Sequence, residues 1–271
     1  MRARDHRQSM KPVAFITGAS SGIGRHLALE LKLHFHEVVL VARRQEALEA
    51  VAEEIRLWGG NPLIAPCDVR DKEQVNRAVA ETLRQFTRID LAILSAGIGD
   101  TTDAANFDAA AFARLVETNL MGVAYCLEAL IPVMRQQGGG TIAVLSSLAA
   151  DRGMPGSSGY CATKAALTSL CDGMRAELAR NHIRLVTIEP GYVRTPMTAR
   201  NKRMPFLMEA DEAARLILRR INRGDSVIRF PLPASLFMRL MRALPVRLFD
   251  ALAGRRQPVR VASKETQTEK S

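Results

Sequence analysis

Tyr160 and Lys164 stand four residues apart in the run Ser158-Gly159-Tyr160-Cys161-Ala162-Thr163-Lys164. On a helix that spacing puts both on one face with their polar ends in reach of each other. Upstream, Thr141 to Leu145 reads as a short buried strand after the loop residue Gly140, and Ser146 and Ser147 sit where it runs out. A Gly/Pro stretch (Gly153, Pro155, Gly156) leads to the helix, which opens near Ser158. A hydroxyl, a phenol and an ammonium can therefore converge on one point of a cleft. Tyrosine ionises near pH ~10 in water, and an ammonium beside it favours the phenolate and draws that value toward neutrality. This is how a tyrosine becomes a proton donor and acceptor. Alone, such a pair is usually a surface couple, so the elements that must position it decide.

Those elements alternate. Val13 to Thr17 reads as a buried strand, followed at once by Gly18-Ala19-Ser20-Ser21-Gly22-Ile23-Gly24 and a helical run to about Phe35. Strand, glycine turn and helix in succession place backbone N–H groups and a helix N-terminus around a pyrophosphate. The next strand, Glu37 to Val41, ends where an acidic residue would accept from the ribose 2′-hydroxyl of NAD. Here Ala42 is followed by Arg43 and Arg44. A missing acid with a guanidinium beside it favours a 2′-phosphate, hence NADP(H).

Further helices are predicted over 45–57 and 72–86, and strands over 61–66 and 90–94, with Asp68 just beyond the third strand and Ser95-Ala96-Gly97 just beyond the fourth. A longer helical region, 108–137, is expected to bend near Gly122 and carries Asn119 in its middle, where an Asn caps or bends the backbone locally. A strand over 183–188 leads into Pro190-Gly191-Tyr192-Val193-Arg194-Thr195. Residues 196–208 have no clear period and suit a mobile flap over a site. A helix over 209–222 and a last strand over 226–230 complete about seven strands. Strand–helix alternation without repeats means an α/β fold, a doubly wound parallel sheet of Rossmann type in one domain over 11–230.

In a chain of 271 residues, a hydrophobic share of 47% and a charged share of 24% are ordinary for a globular protein, but a net charge of +10 is not. It fits an anionic partner: a phosphorylated cofactor, an acidic membrane face or a nucleic acid. Arginines spread along the chain without an aromatic stacking platform argue against nucleic acid. Cys67, Cys126, Cys161 and Cys171 lack metal-type spacing and are expected as buried, reduced thiols of a cytoplasmic protein. The basic N-terminus has no apolar stretch of signal-peptide length behind it, and no segment is expected to reach the ~20 apolar residues of a spanning helix.

Residues 231–255 form a basic, amphipathic extension, and 256–271 read as a disordered tail. Leu236, Phe237, Leu240, Met241 and Leu244 recur at helical spacing, and from Arg229 to Arg260 seven arginines face one aspartate. Closure over a pocket, a subunit interface and peripheral contact with an anionic membrane all remain open. Arginines beside the stripe favour the membrane over a dry interface; against the membrane, Pro231, Pro233 and Pro245 limit the helix to about three turns, and short helices bind bilayers weakly.

With Thr17 to Gly24, Asp68-Val69, Ala96-Gly97, Asn119, Ser147, Tyr160-x-x-x-Lys164 and Pro190-Gly191 in order, the chain resembles a short-chain dehydrogenase/reductase of the one-domain branch over roughly residues 11–230. The resemblance implies a tetrad of Asn119, Ser147, Tyr160 and Lys164. In it Tyr160 is the acid/base, Ser147 orients the substrate oxygen, Lys164 binds ribose and lowers the tyrosine pKa, and Asn119 holds a relay water. It implies adenine contacts from Asp68 and Val69, and cofactor contacts from Gly18, Ser20, Ser21, Gly22, Ile23, Gly24, Arg43, Ala96, Gly97, Pro190, Gly191, Val193 and Thr195. Substrate contacts are expected around Gly99, residues 151–157 and the 192–208 flap. The implied activity interconverts a carbonyl and an alcohol on an apolar small molecule, in a homo-oligomer. The alternative is a dinucleotide-binding or scaffold protein without catalysis on the same fold. Ser95 departs from the family's usual Asn, which puts in doubt a contact that steadies the central strands.

Overall fold

All five residues of the run Val13 to Thr17 are buried, as in a strand covered on both faces. The computed structural model describes residues 11–31, 37–199, 201 and 203–253. Within it the order is β1 (Val13–Thr17), α1 (Gly22–Leu31), β2 (Glu37–Ala42), α2 (Gln45–Arg56), β3 (Asn61–Pro66), α3 (Lys72–Phe86), β4 (Leu91–Leu94), α4 (Ala109–Val116), α5 (Gly122–Gln136), β5 (Gly140–Leu145), α6 (Ser158–Ala179), β6 (Ile183–Pro190), α7 (Ala210–Arg223), β7 (Val227–Phe230), α8 (Leu232–Ala243) and α9 (Val246–Ala253). The strands make one seven-stranded sheet in the order β3-β2-β1-β4-β5-β6-β7, every pairing parallel.

Alternation along β1 shows the two layers. Ala14 and Ile16 join the core under α1, α2 and α7, while Val13 and Phe15 join the one under α3, α5 and α6. Chain order reverses between β1 and β4, so the connections leaving their carboxyl ends diverge and open a crevice there. Local chemistry sets several helix ends. The Asp71 and Asp108 carboxylates accept from the first free N–H groups of α3 and α4, and Gly224 closes α7 in the left-handed region.

The expected helix over 108–137 is one rod with a flaw. Between α4 and α5 lies a π-helical turn, Glu117–Met121, ending just before Gly122. Ala109–Gln136 is, by length and composition, apolar enough to cross a bilayer, an 18-residue window of it reaching a mean hydropathy of 1.2, which corrects the expectation that no segment approaches this. It serves here as a core helix: Val123, Cys126, Leu127, Leu130 and Met134 pack under the sheet.

All four cysteines are buried and unpaired. The C-terminal extension is two helices, and α8 buries Ala234 and Ser235 rather than the stripe of Leu236, Phe237 and Leu240. The extreme N-terminus and the tail beyond Ala253 lie outside the described residues.

Candidate active site

The crevice at the carboxyl edge is floored by the glycine turn. Gly18 has φ +70°, and a Cβ there would lie 2.8 Å from the Ala96 nitrogen. At Gly24 a Cβ would meet the Gly18 carbonyl oxygen at 2.4 Å and Ser95 Oγ at 2.5 Å. The start of α1 thus lies against the ends of β1 and β4 with backbone bare toward the cleft, where Ser20, Ser21, Gly22 and Ile23 also line it. Ser95 answers its own departure from the family pattern. Its hydroxyl donates to the Thr17 carbonyl at 2.5 Å, and the Ala96 N–H donates to Thr17 Oγ1 at 3.2 Å, so β1 and β4 remain tied at their ends.

At one end of the cleft stand Arg43, Arg44, Asp68 and Val69, leaving β2 and β3. Asp68 is engaged by Arg70 at 2.6 Å, and that hydrogen bond holds its carboxyl below the usual range. Arg43 is exposed and adds to the same depression. Ala96 and Gly97 line the middle. Pro190, Gly191, Val193 and Thr195 leave β6 on the far side, with Thr195 against Gly22. Thr198 locks this turn, its hydroxyl donating to the Val193 carbonyl at 2.7 Å and accepting from the Thr195 N–H at 3.0 Å.

At the other end β5 and α6 bring Ser147, Tyr160 and Lys164 together on the cleft wall. Ser146 Oγ donates to the Lys164 carbonyl at 3.1 Å, and Lys164 Nζ donates to the Leu145 carbonyl at 2.7 Å, so strand end and helix are cross-tied. Ser147 Oγ accepts from the Ala149 N–H at 3.1 Å. Burial pushes the Tyr160 phenol up to about 12, offset in part by the Ser147 hydroxyl beside it. This overturns the expectation that Lys164 draws the tyrosine toward neutrality. The ammonium lies 5.7 Å from the ring centroid, is spent on Leu145, and is itself weakened by burial.

Asn119 does not line the cleft. Fully buried in the π-helical turn, it accepts from the Ile98 N–H at 2.8 Å and donates to the Ile98 carbonyl at 2.9 Å and to Thr163 Oγ1 at 3.2 Å. Its carboxamide mimics a strand partner for the backbone beyond β4 and links that segment to α6. Thr163 Oγ1 in turn donates to the Tyr160 carbonyl at 2.8 Å.

Of the expected substrate region, Met197 lies against Gly99, its Cγ 3.3 Å from where a Cβ would stand. The segment 192–208 is irregular where described, pinned by a bridge between Val193 and Met208. Asp151 and Arg152 are committed elsewhere. Asp151 and the buried Glu189 both pair with Arg229. Arg152 donates to the carbonyls of Met241 (3.0 Å) and Leu244 (2.7 Å) and stacks over Phe249. Ile98 and Thr118 line the cleft without having been picked out from the sequence, because apolar or hydroxyl residues outside a motif carry no spacing signal.

Burial pulls Lys164 from its ordinary value of 10.5 down to about 8. The unfolded chain then binds this proton more tightly, so the buried ammonium destabilises the fold at neutral pH by about 3 kcal/mol, a cost that fades as pH rises from 8 to 10.5. Lys164→Met should therefore raise stability at pH 7 by about 1–2 kcal/mol once the orphaned Leu145 carbonyl is counted, and with it the thermal midpoint. The advantage should vanish near pH 10.5. Circular-dichroism melts at both pH values test this; a lower midpoint at pH 7 would show the ammonium to be well solvated.

Three comparisons with known proteins agree with this geometry. The family model described as short chain dehydrogenase matches residues 12–205. An oxidoreductase of Myxococcus xanthus is 35% identical over 243 residues, covering 89% of this chain and 96% of the relative. A 3-oxoacyl-[acyl-carrier-protein] reductase of Staphylococcus aureus is 34% identical over 190 residues, covering 70% and 77%. Among solved structures, a short-chain type dehydrogenase/reductase from Mycobacterium marinum superimposes with a TM-score of 0.76 at 30% identity, covering 81% of this chain and 93% of that one.

Proposed function

Because the chain belongs to the short-chain dehydrogenase/reductase family and is an oxidoreductase, we propose that it interconverts a carbonyl and a primary or secondary alcohol on an apolar substrate, with NADP(H). The family uses a nicotinamide dinucleotide, and the residues here fit one. Bare glycine backbone lines the turn after β1, and β2 ends in Ala42 rather than an acid, with Arg43 next in the chain. Gly18, Ser20, Ser21, Gly22, Ile23 and Gly24 would hold the pyrophosphate side, Arg43 the 2′-phosphate, Asp68 and Val69 the adenine, and Lys164 the ribose. Bound there, the nicotinamide supplies or accepts the hydride.

The observation that carries the reading is that the Tyr160 phenol, the Ser147 hydroxyl and Lys164 line one wall of the cleft together. A substrate carbonyl oxygen placed between the two hydroxyls accepts from both. As the oxygen gains charge, the Tyr160 proton passes to it and the alcohol forms; the reverse transfer serves oxidation. A phenol raised to about 12 is fully protonated at neutral pH and so is loaded for reduction. Proton donation of this kind contributes roughly 10²–10⁴-fold, and positioning adds to it. The likeness to a 3-oxoacyl reductase supports the same direction.

Among the described residues, the charged side chains lining the cleft are Arg43, Arg44, Asp68 and Lys164, and the first three stand at the end away from Tyr160. With Met197 and Ile98 beside the reacting end, an uncharged, apolar substrate fits. A homo-oligomer in the cytoplasm belongs to the same proposal. The test is NADPH oxidation followed by absorbance over a panel of aldehydes, ketones and 3-oxoacyl thioesters. Turnover of uncharged members is expected; NADPH binding with no turnover across the panel would favour a sensing or scaffold role instead.

A further inference from the structure

The two C-terminal helices turn their apolar sides outward. α8 rests on the body through Ala234 and Ser235, and α9 through Phe249. Leu232, Leu236, Phe237 and Leu240 on α8, with Val246, Leu248 and Leu252 on α9, are 42–69% exposed. Seven of the sixteen exposed large apolar side chains among the described residues thus fall in two short neighbouring helices, a concentration that marks an interaction surface rather than ordinary scatter. Leu232, Leu236 and Leu240 succeed one another at four-residue steps along one side of α8.

The charge around this surface has one sign. Arg239, Arg242 and Arg247 are exposed on the same two helices against the single acid Asp250, and Arg255, Arg256 and Arg260 follow in the sequence. The pair is also fixed in place. Arg152 holds the carbonyl end of α8 and stacks on Phe249 of α9, while Arg242 lies 3.9 Å from the buried Asp151.

We propose that α8 and α9 form a docking surface for an anionic lipid bilayer. Leucines on a rigid helix face enter the acyl boundary while the flanking arginines meet anionic headgroups. A second copy of the chain fits worse, because a two-fold contact sets the same arginines against each other and buries them with too few acids. The surface adjoins the substrate end of the cleft, since α8 packs on Leu148–Ala150, the turn that follows Ser147. An apolar substrate dissolved in the bilayer would meet the enzyme on that side.

The test is co-sedimentation of the full chain with vesicles of phosphatidylcholine containing about one-third phosphatidylglycerol, beside pure phosphatidylcholine vesicles. Most of the protein should pellet with the anionic vesicles at low salt. The bound fraction should fall several-fold at about 0.5 M salt, where screening cuts the arginine attraction. Leu236→Glu/Leu240→Glu should weaken partition at least about tenfold with an unchanged melting temperature. A control of equal charge change elsewhere, Leu57→Glu/Gln136→Glu, should bind nearly as wild type. Equal loss in both double variants would mean diffuse charge attraction and overturn the proposal. So would wild-type protein staying in the supernatant, the more so if Leu236→Glu/Leu240→Glu splits an oligomer in sedimentation equilibrium.

Discussion

Tyr160→Phe is expected to lower turnover by at least about a hundredfold while NADPH binding stays within a few-fold. The substitution keeps the ring, which packs at the start of α6, and removes only the phenolic hydroxyl with its acidic proton. Lys164 is anchored to the Leu145 carbonyl rather than to the phenol, so its position should survive the change. That independence makes the experiment clean: a binding defect would implicate the ring, a turnover defect the hydroxyl. Stopped-flow or steady-state NADPH oxidation gives the rate, and fluorescence of bound NADPH gives the affinity. Retention of more than about a tenth of wild-type turnover would remove Tyr160 from the acid/base role.

Ala42→Asp combined with Arg43→Ala should reverse a preference for NADP(H) over NAD(H). Ala42 ends β2, and both positions line the cleft. In the wild type an exposed guanidinium follows the end of β2, and Ala42 before it carries no carboxylate. One charge-assisted contact of this kind contributes about 1.5–3 kcal/mol, or roughly 10–100-fold in kcat/KM. The double change removes that contact, adds a carboxylate that repels the 2′-phosphate, and supplies an acceptor for a 2′-hydroxyl. The ratio of kcat/KM for NADPH over NADH should therefore fall from well above one to below one. Equal use of both cofactors by the wild type would end the arginine argument.

Much of this architecture could be read from the chain because parallel strands are apolar throughout and glycines punctuate them. β1, β2 and β3 come out within a residue, and the site residues Ser147, Tyr160 and Lys164 share a cleft because a strand end and a helix start are adjacent wherever strand and helix alternate. Electrostatics were less legible. The sequence shows that Lys164 can approach Tyr160, but not that burial outweighs the ammonium and that Leu145 claims it. Partners of long reach were also hidden. Nothing local in Asp151 or Arg152 announces that they hold Arg229 and the end of α8, since those ties cross tens of residues of chain. Nor could periodicity say which side of α8 faces inward: an apolar stripe normally marks the buried side, and here small residues occupy it.

The wide turn at Glu117–Met121 has a consequence for any change of chain length nearby. An α-helix advances about 100° per residue, so the extra residue of a π-turn rotates everything after it relative to everything before. α4 can thus aim Leu115 at α6, where it meets Gly159, while α5 aims Val123, Leu127 and Leu130 at the sheet along the same rod. Deleting one residue between 117 and 121 would restore regular helical bonding, a local gain. It would also put α4 and α5 out of phase with their own partners and swing Asn119 away from Ile98. The turn is an indel-sensitive joint, at which the residue count is not negotiable.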